Sequence, residues 1–122
     1  MNVLPSLPLT LSQAIARQEG WYAEEENRCQ RNLNPGNIEY GQFSRAHKAI
    51  GSDGRFAIFA TADDGFDCLV SLLQTPMYQT LPLSRAIGCY APSDENDTET
   101  YLNNVCTWCE VASTQLVSKV SL

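Results

Sequence analysis

Apolar residues near the start of the chain recur with helical rather than strand spacing. Leu11, Ala14, Ile15, Gln18 and Glu19 fall at steps of three and four, which predicts one helix with a single inward face. Thr10, followed three residues later by Gln13, forms a capping box at its start, and Gly20 supplies its stop. Residues 32–37, Asn-Leu-Asn-Pro-Gly-Asn, are nearly all turn formers, so the backbone reverses there. Ile38 to Phe43 and Arg55 to Phe59 read as two short strands, with turn chemistry at Ser52-Asp53-Gly54 before the second. Thr61 caps a further helix, with Asp64 at its third position and Phe66, Leu69, Val70 and Leu73 as the apolar stripe. Another helix runs from about Leu83 to Tyr90 and is closed by Pro92. Asp97 or Thr98 starts the next, with Tyr101, Val105 and Trp108 on one face. Residues 113–122 add a last turn or two at most. The pattern predicts a single α+β domain over 1–122, mainly helical, with a small antiparallel β element after the first helix.

Composition narrows the classes. A chain of 122 residues is the size of one domain, and 43% apolar with 18% charged residues excludes intrinsic disorder. No apolar run approaches the ~20 residues needed to span a bilayer. The first residues lack a basic region and carry Pro5 and Pro8 inside their apolar stretch, which is not a signal-peptide pattern. The expectation is a protein made in the cytosol, with any delivery to a cell wall supplied by another component. A net charge of −6 argues against nucleic acid, which needs a basic face to neutralise phosphates. Five cysteines cannot all pair within one chain, and their spacing is not that of a disulfide scaffold, so buried thiols are expected.

Glu19 is the most informative chemical residue. It lies one turn beyond Ile15 on the inward stripe, at the end of its helix. A carboxylate there loses water and feels the negative end of the helix dipole, and both effects favour its neutral form. Such an acid suits protonation of a glycosidic leaving oxygen. On pattern alone, a solvated glutamate in a last helical turn is the plainer reading.

The words around Glu19 add to this. Ala14-Ile15-Ala16-Arg17-Gln18-Glu19-Gly20-Trp21 resembles the catalytic-helix ending of the lysozyme-like superfamily, where a helix terminates in Glu-Gly-aromatic. Gln30 to Ile38, with its Asn34-Pro35-Gly36-Asn37 core, is similar to a turn of phage and bacterial lytic transglycosylase-like (muramidase) domains. Asp53 to Phe59 with Asp64-Gly65-Phe66, and Tyr90-Ala91-Pro92 with Glu95-Asn96-Asp97-Thr98 and Tyr101, resemble the segments that follow in such domains. The four matches come in the family's order and span roughly residues 11–105. The resemblance implies a lysozyme-like fold, peptidoglycan glycan strands as partner, Glu19 as catalytic acid and no cofactor or metal. It also implies that Asn37, Tyr40, Phe59, Tyr90, Asn96 and Tyr101 line a sugar cleft. Their types are suitable, since rings lie against sugar faces while amides and phenols bond hydroxyl and acetamido groups. Phe59 and Tyr101 can also be read as core.

The second carboxylate stays open at this point. A two-carboxylate hydrolase needs an Asp or Glu across the scissile bond, and Glu39 and Asp53 are the candidates, Glu39 entering the catalytic set beside Glu19. Glu24, Glu25 and Glu26 read as a solvated acidic face. A lytic transglycosylase needs no such partner and is the favoured mechanism. Cys106-Thr107-Trp108-Cys109 lies inside a helical pattern with no second Cys-x-x-Cys, which argues against zinc or redox use. His47, the only histidine, reads as a loop residue. The alternative function is a catalytically silent lysozyme-like module that binds glycan or serves in a phage particle or secretion apparatus.

Overall fold

The computed structural model describes residues 2–122. The first helix, α1 (Leu11–Glu19), has the expected capping box at Thr10 and Gln13 and ends at Gly20 in the left-handed region, φ 103°. It buries Leu11, Ala14 and Ile15 and packs chiefly against the last long helix. A short α2 (Arg28–Arg31) follows, capped by the Asn27 side chain. After the 32–37 turn comes a third short helix, α3 (Gln42–Ala46).

The strand expected over Ile38 to Phe43 is therefore corrected. The chain stays paired only around Glu39, which forms an isolated antiparallel bridge with Phe56. At Gly41 it turns into α3, because the Ser44 hydroxyl accepts from the Gly41 amide and donates to the Glu39 carbonyl. The two-stranded sheet is instead β1 (Gly51–Ser52) against β2 (Ala57–Ile58), antiparallel, with Gly51 opposite Ile58 and Ser52 opposite Ala57. The turn between them is braced by Asp53, whose carboxylate accepts from the amides of Arg55 and Phe56 at 3.0 and 2.7 Å.

Helix α4 (Ala62–Leu73) starts at Thr61, whose hydroxyl accepts from the Asp64 amide, and buries Gly65, Cys68, Leu69 and Leu73. A short α5 (Pro76–Gln79), α6 (Leu83–Tyr90) and α7 (Thr98–Cys109, capped by Asp97) complete the helices, and a 3-10 turn follows at Val117–Lys119. The main core gathers Leu11, Ile15, Phe59, Leu69, Ile87 and Val105, each at most 1% exposed. A smaller cluster, Ala16, Trp21 and Cys29, seals the far end of α1, with Phe66 edge-on to Trp21 at 5.7 Å. The described residues form a mainly helical α+β fold, and none of their helices is long and apolar enough to cross a membrane.

The last residues close on the first helix. The amides of Leu11 and Ser12 donate to the carbonyls of Ser121 and Leu122, and the Ser12 hydroxyl bonds the latter too. Two of the amides that every helix start leaves unpaired are thus satisfied by the C-terminal tail.

Candidate active site

Glu19 is the last residue of α1, and the chain is forced away from it at once. A side chain on Gly20 would run into the Asn27 amide, and its left-handed backbone suits glycine alone. The carbonyls just beyond are covered by side chains, Asn27 bonding Gly20 and Gln30 bonding Gly20, Trp21 and Ala23. The Cys29 thiol has two acceptors within reach, Asn27 Oδ1 at 3.0 Å and the Glu19 carbonyl at 3.6 Å. Burial first, then the negative charge of Glu19, push that thiol up to about 11, so it stays protonated.

The Asn34–Asn37 turn brings a second residue to Glu19. Asn34 is fully buried and saturated: it accepts from the Ile38 amide at 3.0 Å and donates to the carbonyls of Ile38 and Ala57 at 2.9 Å each. Gly36 lies so close to the Tyr90 hydroxyl and Leu69 that a methyl group would overlap both. Gly65 of α4 meets the Leu33 carbonyl with no room for a side chain. The turn is gripped from three sides, and Asn37 leaves it with φ 47°. Its Nδ2 donates to Glu19 Oε1 at 3.0 Å, while its Oδ1 is buried without a donor.

From α7, the Tyr101 hydroxyl donates to Glu19 Oε2 at 2.8 Å. Both carboxyl oxygens are thus held by neutral donors, from residues 18 and 82 positions away in the chain. The Tyr90 hydroxyl donates to the Gly36 carbonyl. Both phenols lie well above the usual tyrosine range. For Tyr90 the cause is burial and then the charge of Glu19; for Tyr101 it is burial, then Tyr90, then Glu19. They remain donors under ordinary conditions.

Above Glu19 opens a cleft of about 350 Å³. One wall is the turn and β element, with Gly36, Asn37, Glu39, Arg55 and Phe56. The other is the end of α6 and the turn after it, with Cys89, Tyr90, Pro92, Glu95 and Asn96. Glu39 accepts from Arg55 Nε at 3.2 Å, and Arg55 Nη2 donates to both oxygens of Glu95 at 2.8 and 2.9 Å. The acidic run Glu24, Glu25 and Glu26 lies exposed at the surface, away from this cleft.

The expected site residues divide into groups. Glu19, Asn37, Glu39, Tyr90 and Asn96 line the cleft. Tyr101 meets Glu19 from behind with its ring in the core, 3% exposed, so it holds the acid rather than facing a ligand. Phe59 is corrected to core: at 1% exposure no sugar reaches its ring. Tyr40 is exposed next to Glu39, outside the lining of this cleft, with Arg45 over its ring. Asp53 serves its turn, accepting from Asn32 Nδ2 at 2.9 Å. That bond, then those from the Arg55 and Phe56 amides, hold its carboxyl down to about 2. Arg55, Phe56, Cys89 and Glu95 line the cleft without having been expected there. Their mutual positions depend on pairings across some 40 residues, which leave no local pattern.

The five cysteines are unpaired, with Cys106 and Cys109 both on α7. His47 stacks on Phe43 at 4.0 Å and is tied to the Phe43 carbonyl through Nδ1. Comparison of the chain with protein-family models, curated proteins and solved structures finds no match.

Proposed function

We propose that the chain is a peptidoglycan-cleaving enzyme with a lysozyme-like fold, cutting the MurNAc-GlcNAc β-1,4 bond with Glu19 as general acid and then base. One observation carries the reading: Glu19 ends the first helix at the floor of a cleft, its oxygens held by Asn37 and Tyr101. A carboxyl fixed in this way keeps its geometry through a proton transfer, because its neighbours, an amide and a phenol held well above its usual range, stay neutral while it changes charge.

The favoured mechanism is that of a lytic transglycosylase. Glu19 protonates the leaving glycosidic oxygen as the bond to the muramic anomeric carbon breaks. The substrate's own acetamido oxygen shields the developing cation. Glu19, now a carboxylate, removes the proton of the muramic 6-hydroxyl, whose oxygen bonds the anomeric carbon and closes the anhydro ring. Glu19 is thereby returned to its acid form. Two observations support this over two-carboxylate hydrolysis: Glu39 is engaged by Arg55, and Asp53 is committed to its turn.

Purified protein incubated with peptidoglycan, followed by analysis of the soluble products, tests it. Anhydro-muropeptides are the expected result. Reducing ends would replace the mechanism by hydrolysis. No release would leave a silent glycan-binding or structural module.

A further inference from the structure

Arg55 lines the same cleft as Glu19 and is held on three sides. Its guanidinium carbon lies 4.8 Å from the centre of the Phe56 ring, Nε bonds Glu39, and Nη2 bonds both oxygens of Glu95. Glu39 and Arg55 belong to the β wall and Glu95 to the opposite turn, so the Arg55–Glu95 pair bridges the cleft. The bonds to Glu39 and Glu95 use Nε and Nη2, which leaves Nη1 of the guanidinium fork. Stacking on Phe56 and the bond to Glu39 orient the fork whether or not Glu95 is bound to it.

We propose that Arg55 reads a carboxylate carried on the bound glycan strand, and that Glu95 occupies its place until such a strand arrives. The inference rests on the glycan reading above and names the substrate class for that site. Charge dictates exchange rather than addition. A third carboxylate beside one guanidinium already shared by Glu39 and Glu95 meets net repulsion, whereas swapping Glu95 for a substrate carboxylate leaves the local charge count unchanged. Glu95 is the partner able to leave. It sits on a turn exposed from Pro92 to Asp97, while the Glu39 backbone is bridged to Phe56. The pair is about half exposed on both sides, and ion pairs of that kind hold weakly. A neutral strand offers no replacement and leaves the bridge shut.

Two groups on such a strand carry this chemistry: the lactyl carboxylate of peptide-free muramic acid, and the carboxylates of a stem peptide. The test titrates the Glu19→Gln protein, which retains ligand uncut, with three oligomers of equal length. These are a peptide-free muramic-acid strand, a peptide-bearing strand and a neutral N-acetylglucosamine oligomer. One or both carboxylated strands should bind about 10-fold tighter than the neutral one, the difference of one charge-assisted bond. Whichever binds better identifies the source. Adding Arg55→Ala should bring the ratio near 1, and adding Glu95→Gln should raise it, since the internal competitor is gone. Three outcomes overturn the proposal while leaving the glycan reading intact: equal binding of all three strands, a preference that survives Arg55→Ala, or weaker carboxylate binding in Glu95→Gln. Binding of no strand at all removes both.

Discussion

The two walls of the cleft are built in opposite ways. The Asn34–Asn37 wall is locked by a fully buried asparagine with three bonds, by glycines at 36 and 65 that leave no slack, and by the Tyr90 hydroxyl. Beyond Tyr90, the 92–97 part of the opposite wall is exposed throughout, and an ion pair of surface type links it to the first. The tight wall is the one that holds Glu19, and the loose one lies across the cleft from it. In a catalytic group, a misplacement of about 1 Å can cost ~10²-fold in rate, whereas an entry gate need only open.

The largest expected effect tests what the rigid wall serves. Glu19→Gln keeps shape and both neighbours but has no proton to deliver, so glycan release should fall ~10²–10⁴-fold with circular dichroism unchanged. Near-parental release would remove Glu19 from its role. Next, Asn34→Ala strips the partners from two carbonyls and one amide in the interior. It should lower stability by about 3 kcal/mol in urea unfolding, and a loss below ~1 kcal/mol would mean the wall is not locked as described. Tyr101→Phe removes one donor to Glu19 and leaves the packing. Cleavage should drop about 10-fold with stability nearly unchanged, readable as kcat/KM against the unfolding midpoint. The loose wall gives the contrast: Glu95→Gln should shift stability by less than ~0.5 kcal/mol. A loss as large as that of Asn34→Ala would erase the distinction between the walls.

The smallest effect concerns acid. Asp53 titrates near 2 in the folded chain, below its ordinary value of about 4. Its contribution is therefore complete above about pH 4 and is lost as pH falls from about 4 towards about 2. Asp53→Asn should flatten that segment of the stability curve, measured as urea midpoints at pH 5, 3 and 2. An unchanged slope would assign the acid sensitivity elsewhere, Asp97 being the other carboxyl held low, by the Thr100 amide and hydroxyl.

What was legible in the sequence was what local chemistry fixes. Thr10 with Gln13 and Gly20 bound α1 to the residue, Thr61 with Asp64 started α4, and Pro92 closed the region of α6. The misread segment is instructive. Ile38 to Phe43 alternates like a strand, but the Ser44 hydroxyl closes back over Gly41 and Glu39 and starts a helix, a contact invisible to periodicity. Helices α2 and α5 have four residues each, too few to show a period. Within the site, Glu19 stood out through its end-of-helix position and Asn37 only through the motif resemblance. Phe59 did not separate from the core because an aromatic on a short strand looks the same facing either way. Arg55 and Glu95 were missed because an ion pair joining segments 40 residues apart has no sequence signature.

The tail that caps α1 also sets a timetable. A ribosome has finished α1 long before it reaches Leu122, 110 residues beyond Ser12, and Tyr101 too is made late. The helix bearing Glu19 is thus synthesised well before the residues that complete its contacts. On a nascent chain its leading amides have no tail to bond and its carboxyl has no phenol to hold it. The contacts that fix Glu19 and the start of its helix are complete only after Tyr101 and residues 121–122 have followed.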